Sequence, residues 1–281
     1  MTKLELAKYQ ASGNDFLLVD ELDGTVGDLD VPGLCDRWTG VGADGLIRVG
    51  RGTTAPYSFD LTNADGSAAE MSGNGTRCLA AWLRDRELVA HGDAIDVETP
   101  AGLRHVWLTL EGATVQMGSP NFTKAAVPMR GPAWETFQEQ PFDIGDGRTM
   151  AATAVSMGNP HLVLFTEEDP ERYHLEHIGP ALEGHELFPE RINVEFARVV
   201  ADDVVDVRVW ERGVGETLAC GTGACAVVVA AHDAGRTGPD VAVRFRGGTL
   251  RVERRTDGEV LLGGPVHHVF DAVVDTDELE G

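Results

Sequence analysis

The stretch Glu216-Thr-Leu-Ala-Cys-Gly-Thr-Gly-Ala224 sets a cysteine before a Gly-x-Gly turn, and the turn opens a run of small apolar residues reaching Gly235. That density of alanine and valine predicts a helix over 221–235 with Gly235 as its terminal glycine. The same device stands earlier, at Ser72-Gly-Asn-Gly75, and opens a second predicted helix over 73–88. These two turns lie 148 positions apart. A second pair agrees: Gly13-Asn14 before Asp-Phe-Leu-Leu-Val and Gly158-Asn159 before Pro-His-Leu-Val-Leu-Phe are 145 positions apart. Near-equal offsets for two independent pairs indicate one internal duplication, too long a period for a solenoid. Short alternating segments such as 15–20, 204–209 and 242–245, parted by glycine, aspartate and asparagine, predict strands as the majority element. The fold class is therefore read as α/β (α+β): two pseudo-symmetric domains, each a strand-rich sheet or barrel around a central helix. The seam is expected at 118–120. It divides an N-terminal half, 1–117 plus 265–281, from a C-terminal half, 118–264, with the active site in the cleft between them. A last strand over 266–274 is assigned to the first half.

Length and composition bound the function. The chain has 281 residues, 42% of them apolar, and its longest uninterrupted apolar run is Ala224 to Ala231. A membrane span needs about 18 such residues, so a soluble protein is expected. The charged opening, Met-Thr-Lys-Leu-Glu-Leu-Ala-Lys8, is unlike a secretory signal and suggests a cytoplasmic address. Acidic side chains number 46 against 23 basic, a net charge of −23, and the only lysines are Lys3, Lys8 and Lys124. Nucleic acid is a poor partner for such a surface. Acid-rich, lysine-poor composition suits a high-salt cytoplasm; an acidic protein from a GC-rich genome would look similar. The cysteines Cys35, Cys78, Cys220 and Cys225 lack disulfide density and C-x-x-C spacing, so reduced thiols and no metal site are expected.

A reactive side chain before Gly-x-Gly at a helix start is a chemical device. Glycine admits close backbone approach, and the first helical N–H groups point at an anion such as a carboxylate or phosphate. A thiol there is favoured as thiolate, so Cys220 is a candidate base near neutrality. Taken alone, each turn is equally well a buried small residue at a tight bend. Two such helices in a duplicated chain suggest two proton carriers and inversion at a carbon, with helix N-termini stabilising the deprotonated carboxylate. Asn14, Asn63, Asn74, Asn159 and Asn193 stand in turn contexts, with Glu211-Arg212 before a glycine. Together they could fix an amino acid zwitterion; singly, asparagine is a routine turn residue and Glu211 with Arg212 an ordinary ion pair. His161 could tune a neighbouring thiol or be a partly buried polar group.

Most of the chain resembles the diaminopimelate epimerase family. The resemblance is carried, in order, by Gly13-Asn-Asp-Phe16, Gly40-Val-Gly-Ala-Asp44, Asn63-Ala-Asp-Gly-Ser67, Gly73-Asn-Gly75, Gly158-Asn-Pro-His161, Arg191-Ile-Asn-Val194, Trp210-Glu-Arg-Gly213 and the 216–224 stretch. It implies an epimerase without cofactor that interconverts LL- and meso-diaminopimelate toward lysine, as a homodimer with a small amino acid as substrate. Asn14, Asn63, Asn159 and Asn193 would hold substrate, while Gly73-Asn74 and Gly221-Thr222 would donate to the reacting carboxylate. Glu211 and Arg212 would bind the α-amino and carboxylate region, and His161 and Glu211 would tune the carriers. Cys220 would be one carrier; Ser72 stands where the family places the other cysteine. A hydroxyl is a far weaker acid than a thiol. Ser72 is then a proton donor or water relay, or a deliberate Cys→Ser replacement that traps substrate, or the mark of one-base chemistry on this or another amino acid. Related racemases and a catalytically weakened binding homologue are the competing readings. Gly45 is a further departure, at a position where some members place a polar contact.

Overall fold

The computed structural model describes residues 3–69, 72–145 and 147–275. The chain separates into two compact units, one running to Gln116 and resuming at Gly263, the other Met117–Leu262. Met71 and the ends of the first half, 1–2 and 276–281, lie outside the described residues.

The first unit opens with β1 (Lys3–Ala11) and β2 (Asn14–Asp20), followed by α1 (Val31–Cys35), β3 (Gly45–Gly50), β4 (Tyr57–Asn63) and the two-residue β5 (Ala68–Ala69). Helix α2 (Gly73–Asp85) and strands β6 (Ala94–Thr99), β7 (Gly102–Leu108) and β8 (Gly112–Gly118) continue it. The second unit carries β9 (Phe137–Asp143), β10 (Thr149–Ser156), β11 (Pro160–Phe165), α3 (Leu175–Glu183), β12 (Asn193–Ala201), β13 (Val204–Glu211) and β14 (Gly215–Thr217). It proceeds through α4 (Gly221–Asp233), β15 (Asp240–Phe245), β16 (Gly248–Arg254) and β17 (Val260–Pro265), after which β18 (His267–Asp275) pairs antiparallel with β1.

The ladders repeat. In the first unit β1–β2 is antiparallel, β2–β3 parallel, β3–β4 antiparallel, β4–β6 parallel and β6–β7 antiparallel. In the second, β10–β11, β11–β12, β12–β13, β13–β15 and β15–β16 follow the same alternation. Helix α1 corresponds to α3 and α2 to α4, so the duplication read from the glycine turns extends to every element of the common core.

The parallel connection explains the continuous apolar runs. A strand covered on both faces must be apolar on both, and Leu17, Leu18 and Val19 in β2, like Leu162, Val163 and Leu164 in β11, are buried without alternation. Helix α1 caps a cluster of Leu4, Leu6, Leu17, Val19, Val31, Leu34 and Leu46; α3 caps its counterpart of Leu162, Leu164, Leu175, Leu182, Phe188 and Phe196. Helices α2 and α4 are buried over most of their length; that is expected of α4, which has no polar face, whereas α2 also buries Asn74, Thr76 and Arg77. Both stop two or three residues short of the sequence expectation. Glu87 and Gly235 adopt positive φ, 59° and 69°, one residue past each helix cap, and the next N–H turns back to Leu83 or Ala231, closing a Schellman motif.

This topology gathers the expected functional residues at one end of each unit. Parallel strands start side by side, and an antiparallel neighbour ends beside them. Asn14 begins β2, Gly45 begins β3 and Asn63 ends β4, after which the chain turns through β5 into Ser72 and α2. Asn159 precedes β11, Asn193 begins β12 and Glu211 ends β13, and the chain passes through β14 into Cys220 and α4.

Candidate active site

Cys220 caps α4 in extended conformation, φ −127° and ψ 122°. Its Sγ accepts the Gly223 N–H at 3.4 Å and meets Thr222 Oγ1 at 3.4 Å. Glu211 accepts from Thr217 Oγ1, and its carboxylate acts electrostatically on the thiol. His161, fully buried, has Nδ1 2.6 Å from Glu195 Oε1 and Nε2 2.9 Å from Asn159 Oδ1. Asn193 Nδ2 donates to the Pro160 carbonyl at 2.8 Å, and its Oδ1 accepts the Arg212 N–H at 2.8 Å. The Arg212 side chain donates to the Glu190 carbonyl, not to Glu211; the ordinary ion-pair reading fails because Glu211 turns inward to the thiol.

The electrostatics correct one expectation. Burial first, then the nearby carboxylates Glu211 and Glu195, push the Cys220 thiol well above its ordinary range, against the Thr222 and Gly223 hydrogen bonds. The resting side chain is a thiol. Helix N–H donors are present, but loss of water and two negative neighbours outweigh them. Burial also raises Glu211, opposed by Thr217 and by the charge of His161, so this carboxylate is a better base than an exposed one.

The first unit builds the same cap around a different atom. Ser72 is extended, φ −142° and ψ 114°, and its Oγ accepts the Gly75 N–H at 3.0 Å. Asn74 Nδ2 donates to Asn14 Oδ1 at 3.3 Å, Asn14 Nδ2 to Asp44 at 2.5 Å, and buried Arg77 to Asn74 Oδ1 at 2.5 Å. Asn63 stands apart from this string, with its Nδ2 on Ser67 Oγ. Strand register equates Phe16 with His161 and Ile47 with Glu195, and Asn63 ends β4 where Glu211 ends β13. Among the described residues, the places that hold His161, Glu195 and Glu211 around Cys220 are thus filled around Ser72 by side chains that do not ionise. Cys78 does not replace it: this residue is inside α2, wholly buried, its thiol pushed up to about 12 chiefly by burial. At Gly45 a Cβ would stand 2.7 Å from the Thr62 carbonyl oxygen, so close strand packing accounts for the glycine there.

Two residues escaped the sequence reading. Asp44 receives the Asn14 side chain, the Asp15 N–H at 3.0 Å and Arg37 at 2.8 Å, and so fixes Asn14. Glu195 is a carboxylate flanked in β12 by the buried apolar residues Val194, Phe196 and Ala197; that isolated charge was the available signal. His174, Glu176 and His177 bring ligand-type atoms within 4.8 Å of one another, but they are fully exposed at the start of α3, where the helix dipole opposes a cation. Among the described residues no helix is long and apolar enough to cross a membrane.

Comparison with known proteins adds independent findings. Residues 6–123 and 153–269 match the family described as diaminopimelate epimerase. A diaminopimelate epimerase of Desulforudis audaxviator is 45% identical over 278 residues, covering 95% of this chain and 98% of its own. One from Pelotomaculum thermopropionicum is 43% identical over 276 residues, covering 95% and 97%. Among solved structures, a hydroxyproline epimerase from Agrobacterium vitis superposes with a TM-score of 0.68 at 14% identity, over 98% of this chain and 91% of its own. A Bacillus anthracis protein of the phenazine biosynthesis PhzF family gives 0.67 at 14% identity, over 98% and 99%. These two share the fold.

Proposed function

The chain belongs to the diaminopimelate epimerase family, and we propose that it interconverts LL- and meso-2,6-diaminopimelate by moving the proton at one α-carbon, without a cofactor, on the way to lysine. The observation that carries this reading is Cys220 at the start of α4, its Sγ held by the Gly223 N–H and under the charge of Glu211, a carboxylate whose basicity burial has raised. Each unit offers the N–H groups that open a helix, Gly73 and Asn74 in one and Gly221 and Thr222 in the other, as donors for the reacting carboxylate. Removing the α-proton places a second negative charge on that carboxylate, and a helix N-terminus is suited to stabilise the charge where it develops. Asn14, Asn63, Asn159, Asn193 and Arg212 hold the remaining polar ends of the substrate.

Because resting Cys220 is a thiol, it acts as a base only after Glu211 has accepted its proton, and as an acid directly. Ser72 is the second carrier. Its hydroxyl, held by the Gly75 N–H, returns a proton to the carbanion itself or through a water, but abstracts one poorly, because a hydroxyl is a far weaker acid than a thiol and, among the described residues, no carboxylate or imidazole is hydrogen-bonded to it. Proton exchange on the Cys220 side is therefore the faster half.

Proton NMR of LL-diaminopimelate in deuterated, high-salt buffer tests the assignment. Loss of the α-proton with appearance of the meso isomer is expected. Exchange without inversion would make the chain a one-sided catalyst, a reading favoured by the weak acidity of the Ser72 hydroxyl. Neither change would leave a binding protein or another amino acid as substrate. We also take the enzyme to work in the cytoplasm as a homodimer, supported by exposed Val269, Phe270 and Val273 on β18, and in high salt, supported by its charge of −23.

A further inference from the structure

Glu195 has no exposed surface, and isolating a carboxylate from water carries a penalty of several kcal/mol unless a partner offsets it. One oxygen has such a partner. Oε1 lies 2.6 Å from His161 Nδ1, whereas Oε2, also buried, has none. The other face of the ring meets the Asn159 carboxamide oxygen at 2.9 Å. Both ring nitrogens therefore face oxygen atoms, an arrangement in which a ring carrying a proton on each nitrogen, with Glu195 as counter-charge, would satisfy every partner. The fold reserves space for this pair. A Cβ on Gly223 would stand 2.7 Å from Glu195 Oε1 and 3.2 Å from Cys220 Cβ, so the second glycine of the turn lets the carboxylate lie directly beneath the start of α4.

The protonation state of the ring decides how Asn159 points. With Nε2 donating, the amide oxygen is committed to His161 and the amide nitrogen is offered to substrate. With Nε2 unprotonated, the amide must turn over to donate to the ring, and an oxygen replaces the donor. We propose that Glu195 is a positioning residue for the reaction: by holding His161 doubly protonated, it fixes the Asn159 carboxamide with its N–H donors toward the substrate. The device is private to the Cys220 half, since Phe16 and Ile47 occupy the corresponding places beside β2 and β3. It rests on the proposed function for what Asn159 holds, but not for the state of the ring.

The experiment is nitrogen-15 NMR of ring-labelled histidine in the full chain without substrate, with the His161 signals assigned by their loss in His161→Gln. Two protonated ring nitrogens are expected in the unmodified protein; one protonated and one bare nitrogen would overturn the proposal without any variant. Glu195→Gln keeps the shape and removes the charge, and it should convert His161 to the singly protonated form. In the same variant KM for diaminopimelate should rise about tenfold and exchange on the Cys220 side fall by about 10²-fold, with exchange on the Ser72 side less affected. An unchanged ring spectrum or unchanged kinetics in a folded Glu195→Gln protein would refute it. An unmodified chain inactive on diaminopimelate would defeat the functional reading, while the ring spectrum would still decide this one.

Discussion

Ser72 Oγ receives the Gly75 N–H at 3.0 Å and Cys220 Sγ the Gly223 N–H at 3.4 Å, so the two carriers differ in acidity far more than in local placement. Cys220→Ala removes the thiol at the start of α4 and should abolish α-proton exchange at the Cys220 side; full exchange in that variant would remove Cys220 from the mechanism. Ser72→Cys puts a thiol, a far stronger acid than the hydroxyl, on the same N–H donor, and should raise the epimerisation rate by about 10²-fold or more. No gain in that variant would mean that the hydroxyl never limits turnover. The pH profile follows from Glu211. Its raised affinity for protons keeps it neutral to a higher pH than an ordinary carboxyl, near 4.3, so the base form, and with it kcat/KM, should rise with pH along a limb above that value. Glu211→Gln should erase the limb, and a limb at or below the ordinary value would contradict the assignment. Cys220, Ser72 and His161 were legible because each stands in a marked motif. The state of the thiol was not, because it is set by burial and by carboxylates from two different strands, of which Glu195 carries no motif of its own.

At the scale of elements, the duplication was legible because turn residues are constrained by backbone geometry and so survive in both copies. Gly13 and Gly158 both have positive φ, 84° and 96°, and each fixes an asparagine at the tip of a hairpin. The helix ends were less legible. Gly235 marks the α4 terminus openly, whereas the equivalent place after α2 is filled by Glu87, which no glycine signal announces. A non-glycine residue in the left-handed region is disfavoured by roughly 1–2 kcal/mol, yet Glu87 N–H still bonds Arg84 and Leu88 N–H still bonds Leu83 at 2.9 and 3.0 Å. The motif is retained against that strain. Glu87→Gly should therefore stabilise the protein by about 1 kcal/mol and raise Tm by roughly 2–4 °C, and Gly235→Ala should lower it. A lower Tm for Glu87→Gly in calorimetry would show that the glutamate makes a compensating interaction in the folded state.

Over the whole molecule, charge decides the conditions in which the fold persists. Many arginines already sit on carboxylates, as in Arg37 with Asp15 and Asp44, Arg244 with Asp206, Arg246 with Glu171 and Glu216, and Arg251 with Asp240. With 46 acidic groups against 23 basic ones, one-to-one pairing could neutralise at most half of the carboxylates, and the surplus repel one another. Repulsion acts over about 10 Å at 0.1 M salt and about 3 Å at 1 M, so molar salt confines it to nearest neighbours. The same screening bears on assembly, since two copies each at −23 must approach for Val269, Phe270 and Val273 to be covered. Thermal unfolding followed in rising KCl should show Tm climbing through the molar range, with sedimentation passing from monomer to dimer over the same interval. Val273→Asp, exposed on β18, should leave the monomer folded in molar salt but block the dimer. A Tm independent of salt would mean that the surplus carboxylates are too far apart to matter, and a dimer that persists in Val273→Asp would place the interface on another face.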